Sequence, residues 1–218
     1  MKTRAIMVSA IIGAIVASCG PKIIDEPIVF NNERSELTLD YMQEHYNLDV
    51  EEPTIIPKMV VVHWTAIPSF QKSLDAFYDV YLPNFRTAIS GAGNLNVSSQ
   101  FLVDQDGTIY RLMPETTMAR HVIGLNHCAI GIENVGGPDL PLTDAQLKSN
   151  IKLIKYLKKK YPIDYVIGHY EYQLFEGHEL WLEQDEGYRT VKTDPNVEFM
   201  TSIREALTNL DLKPLPEK

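Results

Sequence analysis

Two short apolar runs, each closing on a histidine, constrain this chain more than any other feature. Met59-Val60-Val61-Val62 leads into His63, and Tyr165-Val166-Ile167-Gly168 leads into His169. Each run is too short for a helix, and Pro57 and Pro68 bracket the first, so both read as buried strands. Strand ends hold side chains rigidly at the rim of a sheet, where ligands and catalytic groups gather in α/β folds.

Around these strands helices and strands interleave. Ser69 caps a helix expected to reach about Leu82, and the Gly- and Asn-rich stretch from Pro83 to Asn96 reads as a loop. Ser98 to Val103 and Thr108 to Met113 flank Asp106-Gly107, a strong hairpin signal. Ala129 to Val135 reads as a further strand, stopped by Gly136-Gly137-Pro138. Thr143-Asp144-Ala145-Gln146 fits a capping box that opens a helix, with Leu147, Ile151, Ile154 and Leu157 or Tyr161 as its inward stripe and a lysine-rich outer face. Residues 170–193 form a polar, aromatic excursion, and a closing helix is expected from Asn196 to Leu207. The pattern predicts an α/β fold: one domain, with a mixed central β-sheet flanked by helices.

Composition narrows the function classes. With 44% hydrophobic residues the chain can bury one good core. The formal charge of −9 argues against nucleic acid, whose phosphates are bound by Lys and Arg. Two cysteines, Cys19 and Cys128, are too few for a disulfide framework. A monomer is expected.

A catalytic zinc needs three protein donors and leaves a fourth position open. His63 and His169 supply two. Asp194, in Lys192-Thr193-Asp194-Pro195-Asn196, is the best third: proline stiffens the turn and Asn196 tolerates a left-handed backbone. By residue type alone, a metal site and a pair of hydrogen-bonded structural histidines both stay open. His178, inside the excursion, is a rival donor. Trp64 alternates away from His63 and is expected in the core.

Two resemblances sharpen this reading. The basic start Met1-Lys2-Thr3-Arg4, the apolar run Ala5 to Ala17 and Val16-Ala17-Ser18-Cys19 resemble a secretory signal ending in a bacterial lipobox. The run is shorter than the roughly 20 residues of a spanning helix. This implies a signal peptide at 1–18, a lipidated Cys19 holding the mature chain on a membrane of the bacterial cell envelope, facing the periplasm or exterior, and a tether or wrapping arm over 19–57. With Cys19 lipidated, no internal disulfide can form. Within that arm, Leu37 to Tyr46 is expected as a short helix.

Residues 58–218 resemble a second family. Val61-Val62-His63-Trp64-Thr65-Ala66, Ser98 to Tyr110, His121 to Asn126 with Ala129-Ile130-Gly131-Ile132-Glu133, then Gly168-His169 and Lys192-Thr193-Asp194-Pro195 follow the block order of the zinc N-acetylmuramoyl-L-alanine amidases of the peptidoglycan-recognition-protein and phage T7 lysozyme type. The resemblance implies Zn2+ held by His63, His169 and Asp194, with Asp in place of the Cys of other members. It implies catalytic assistance from Glu133 and Lys192, and peptidoglycan or muropeptides as the partner. His121, Asn126 and Ser99 are expected to meet substrate. Ser99 and Gln100 depart from the Tyr and His of many relatives, and the stretch between His169 and Asp194 is longer than usual. Two other readings stand beside hydrolysis of the lactyl–L-alanine amide: a wall-binding module without turnover, and a zinc peptidase cutting within the stem peptide.

Overall fold

The computed structural model describes residues 20–217, so the expected signal and lipidated Cys19 lie outside the described residues. Six strands, β1 (Ile23–Asp25), β2 (Met59–Val62), β3 (Phe101–Val103), β4 (Ile109–Arg111), β5 (Ala129–Asn134) and β6 (Tyr165–Gly168), form one sheet in the order β1-β4-β3-β5-β2-β6. Every neighbouring pair is parallel except β3 and β4. That pair is the hairpin expected at Asp106-Gly107, and Gly107 takes a φ of +85° that residues with a Cβ rarely adopt. The sheet is therefore mixed, as the sequence predicts.

Strand β2 sits between β5 and β6 and is wholly buried. Val62 lies opposite Ile132 on one side and Gly168 on the other. One step further along this register brings His63 level with Glu133 and His169. Side chains alternate along a strand, and the packing follows that alternation. Met59, Val61, Ala129 and Ile167 pack against Tyr41, Met42, Tyr46, Tyr172 and Phe175. Val60, Val62, Ile130 and Ile132 pack on the other face against Leu153, Ile154, Leu157, Phe199 and Met200. His63, Glu133 and His169 continue the first set, so three neighbouring strands aim them at one point. Burying side chains of this size is worth about 1.5–3 kcal/mol each, which makes the rim that carries them rigid.

The first face is covered by α1 (Asn32–Tyr46) and the excursion after His169; the second by α3 (Asp144–Lys160) and α4 (Val197–Ala206). Helix α1 starts five residues before the expected Leu37, because Asn31 Oδ1 accepts from Arg34 N at 3.0 Å. The buried Arg34 donates to Phe77 O at 3.0 Å and also meets Asp79 O, closing the end of α2 (Phe70–Tyr78). These contacts stop α2 four residues short of Leu82. With β1 paired to β4, the described part of the arm packs onto the sheet.

Helix α3 has the expected capping box, but its inward stripe is shifted: Gln146, Asn150, Leu153, Ile154 and Leu157 are buried, while Leu147 and Ile151 are only partly so. Two polar side chains take inward positions because the sheet offers them partners. Gln146 Nε2 donates to Val103 O and Val135 O, and Asn150 Nδ2 donates to Asn134 Oδ1 at 2.7 Å. Asn196 has an extended backbone with φ −66°, rather than the left-handed one anticipated, and caps α4 by accepting from Phe199 N at 2.8 Å. No helix among the described residues is long and apolar enough to cross a membrane.

Candidate metal centre and active-site cleft

His63 Nδ1, His169 Nδ1 and Asp194 Oδ2 converge. The nitrogens lie 2.9 Å apart, and the carboxylate oxygen is 3.2 Å from the first and 3.1 Å from the second. All three residues are buried. Asp194 arrives from a turn held by Tyr170 N, which donates to Asp194 O at 3.0 Å. The segment after β6 that supplies Tyr170 is itself braced: Glu171 accepts from Gly168 N and meets Arg204 of α4.

Three acceptor-type atoms this close repel unless a proton or a cation lies among them. Two imidazoles and one carboxylate are a zinc-type donor set, whereas magnesium and calcium prefer oxygen alone. Donors about 2.0–2.1 Å from a tetrahedral zinc sit roughly 3.3 Å apart, close to the spacing seen. Charge states suit the same group. Burial, helped by His63, pulls His169 down to about 4, against the opposing pull of Asp194. Burial alone would raise the Asp194 carboxyl, but His169 and His63 outweigh it and hold the carboxyl below its usual range. A neutral imidazole and an ionised carboxylate are the forms that ligate metal. The residues present therefore fit a zinc ion.

The triad opens onto a cleft of about 250 Å³ whose wall includes Glu133, Lys192, Arg86, Trp64 and His121. Glu133 is buried, and its Oε2 has no hydrogen-bond partner. Burial and then the charge of Asp194 push its pKa well above the ordinary value, with Arg86 and Lys192 opposing. An unpaired carboxylate in that setting is poised to exchange protons.

The other expected contacts divide. Ser99 is fully buried and donates its hydroxyl to Phe101 O at 3.2 Å, so it presents nothing to a substrate in the cleft. Asn126 is also buried; its Oδ1 accepts from His121 N at 2.8 Å and Val122 N at 2.7 Å, and its Nδ2 donates to Tyr46 OH at 2.7 Å. Its side chain is thus engaged within the protein, holding the loop that carries His121. His121 lines the cleft, but both ring nitrogens are engaged within the protein, Nδ1 with His63 Nε2 at 3.0 Å and Nε2 with Ala129 O at 3.3 Å. Gln100 is internal as well, accepting from Gly131 N at 2.7 Å and donating to Thr117 O at 2.9 Å. His178 is no rival ligand: it accepts from Leu180 N and contacts Tyr165 OH, apart from the triad. Trp64 is half-buried in the cleft wall and outside the core clusters, not in the core that alternation from His63 predicts, because it lies beyond the last residue of β2 at the rim of the sheet. Arg86 escaped the sequence reading, since a lone arginine in a Gly- and Asn-rich loop gives no signal.

Comparison with known proteins agrees with this geometry. The profile of the family described as N-acetylmuramoyl-L-alanine amidase matches residues 53–196. Among solved structures, the N-acetylmuramoyl-L-alanine amidase LysC from Clostridium intestinale URNW superposes with a TM-score of 0.53 at 22% identity, covering 88% of this chain and 99% of its own. A selenomethionine derivative of AmpD gives 0.51 at 22% identity, covering 84% and 93%. A mutant endolysin from Bacillus subtilis gives 0.51 at 19% identity, covering 85% and 98%. These likenesses show the fold. No curated protein matches the chain. The matched segment spans more than half of the 218 residues and contains His63, Glu133, His169, Lys192 and Asp194, and on that match the chain belongs to the N-acetylmuramoyl-L-alanine amidase family.

Proposed function

We propose that this amidase is zinc-dependent and hydrolyses the amide between the muramyl lactyl group and the L-alanine that begins the peptidoglycan stem peptide. The observation that carries the reading is the convergence of His63, His169 and Asp194, three donors distant in sequence, beside the unpaired carboxyl of Glu133. These three residues would hold the ion, and zinc there supplies Lewis-acid polarisation of the amide carbonyl and acidifies water. Glu133 takes the proton of the attacking water and delivers it to the leaving amine; burial and the charge of Asp194, which raise its pKa above the ordinary glutamate range, strengthen its hold on that proton between the two halves of the task. Lys192, half-buried in the cleft wall, sets an ammonium near the oxygen that gains charge as the carbonyl is attacked. We further propose, from residues 1–19 alone, that the mature chain is held at the bacterial envelope by a lipid on Cys19.

Product identification tests the reading. Purified protein incubated with muropeptides is expected to release an intact stem peptide beginning with L-alanine and a sugar carrying a free lactyl carboxylate, detected by mass spectrometry. Shortened stems with the lactyl amide intact would assign a peptidase instead. Tight binding without cleavage by zinc-loaded protein would assign a wall-binding module.

A further inference from the structure

The geometry points to His121 as a positioning residue that sets the tautomer of His63, so that His63 Nδ1 faces the metal centre with its lone pair free. This inference rests on the zinc reading of the triad. The proton count starts from Ala129 O, which can only accept, so His121 Nε2, 3.3 Å away, carries a hydrogen. An imidazole whose one hydrogen sits on Nε2 has a bare Nδ1, and the nitrogen 3.0 Å away, His63 Nε2, is then the donor. A neutral His63 that carries its proton on Nε2 has a bare Nδ1, the atom that faces His169 and Asp194.

The seat of His121 is built for this. The ring packs edge-to-face on His63, centroids 5.1 Å apart at 86°. A Cβ at Gly131 would stand 3.0 Å from His121 Cγ and 2.7 Å from Ser99 Oγ, so the side-chain-free position in β5 is what lets the ring lie against the strand. Asn126 clamps the backbone of His121 from the other side and ties it to Tyr46 of α1. His169 has no comparable backing, since its Nε2 is buried without a protein partner. The two imidazoles are thus unequal, and His63 is the one whose lone pair is fixed before metal arrives. Partners of this kind commonly govern metal affinity by about 10–100-fold.

Two measurements test the proposal on the purified chain. In metal-free wild type, long-range 1H–15N correlation spectra are expected to show His63 protonated on Nε2 and bare on Nδ1; the opposite tautomer would overturn the inference. The second compares zinc affinity, by chelator competition, in His121→Asn and His121→Leu. The two side chains have nearly the same shape, but Asn keeps an acceptor at the δ position for His63 Nε2–H and Leu does not. His121→Leu is expected to bind zinc about 10–100-fold more weakly than wild type, and His121→Asn to stay within a few-fold. Equal affinities in both variants, with the wild-type tautomer unchanged in His121→Leu, would also overturn it. A wild type that binds no zinc would instead remove the zinc reading on which both stand.

Discussion

Asp194→Ala is expected to lose tightly held zinc and, with it, nearly all amidase activity. The substitution removes the one anionic donor and leaves two imidazoles whose nitrogens face each other 2.9 Å apart. Lewis-acid stabilisation is worth several kcal/mol, and at about 1.36 kcal/mol per tenfold its loss lowers kcat/KM by roughly 10³-fold or more. The fold should persist, because the turn before α4 keeps its backbone bond from Tyr170 N and the Asn196 cap. Metal analysis after dialysis, run beside a circular dichroism melt, checks both halves. A folded Asp194→Ala protein that retains one equivalent of zinc and wild-type turnover would remove the carboxylate from the account.

Glu133→Gln separates metal binding from proton transfer. Gln keeps the size of the side chain but cannot shuttle a proton, so kcat is expected to fall about 10²–10⁴-fold while zinc content stays at the wild-type level. Stability should move the other way. The folded-state pKa of Glu133 is raised, so the folded protein holds its proton to higher pH than the unfolded chain does. The stability tied to that proton is full below the ordinary glutamate range and is lost as pH rises through the raised value. Gln has no such loss, and metal-free Glu133→Gln is expected to melt at or above the wild-type temperature near neutral pH. Lower activity with equal or higher stability is the signature of a residue strained for function. Equal activity of variant and wild type would assign the proton to another group.

Much of this site was legible because its parts end strongly patterned elements. The runs before His63 and His169 could only be short buried strands, and parallel pairing in register then placed both histidines level with Glu133. The Asp106-Gly107 hairpin and the Thr143 capping box were equally local, each written within a few residues. What escaped depends on partners distant in the chain. Gln146 and Asn150 look like surface residues until β3 and β5 offer a carbonyl and an amide to meet them. Asn31 gives α1 an earlier start than its apolar pattern shows, and Arg34 acquires its purpose only at the far end of α2. Ser99 and Asn126 lie in the right blocks but spend their hydrogen bonds inside the protein, and His121 reaches the cleft with both ring nitrogens already engaged, because spacing shows that a polar residue is near a site and not which way its hydrogen bonds run. The three donors His63, His169 and Asp194 are legible from their motifs, whereas the contact between His121 and His63 is visible only once the fold brings the two rings together.

The central claim is that His63, His169 and Asp194 grip one zinc ion. A crystal of the purified protein measured on both sides of the zinc absorption edge tests it most directly. The account predicts a single strong anomalous peak bonded to His63 Nδ1, His169 Nδ1 and an Asp194 oxygen, with one coordination position facing the cleft. Zinc bound elsewhere, or no peak in protein that still cleaves muropeptides, would contradict it.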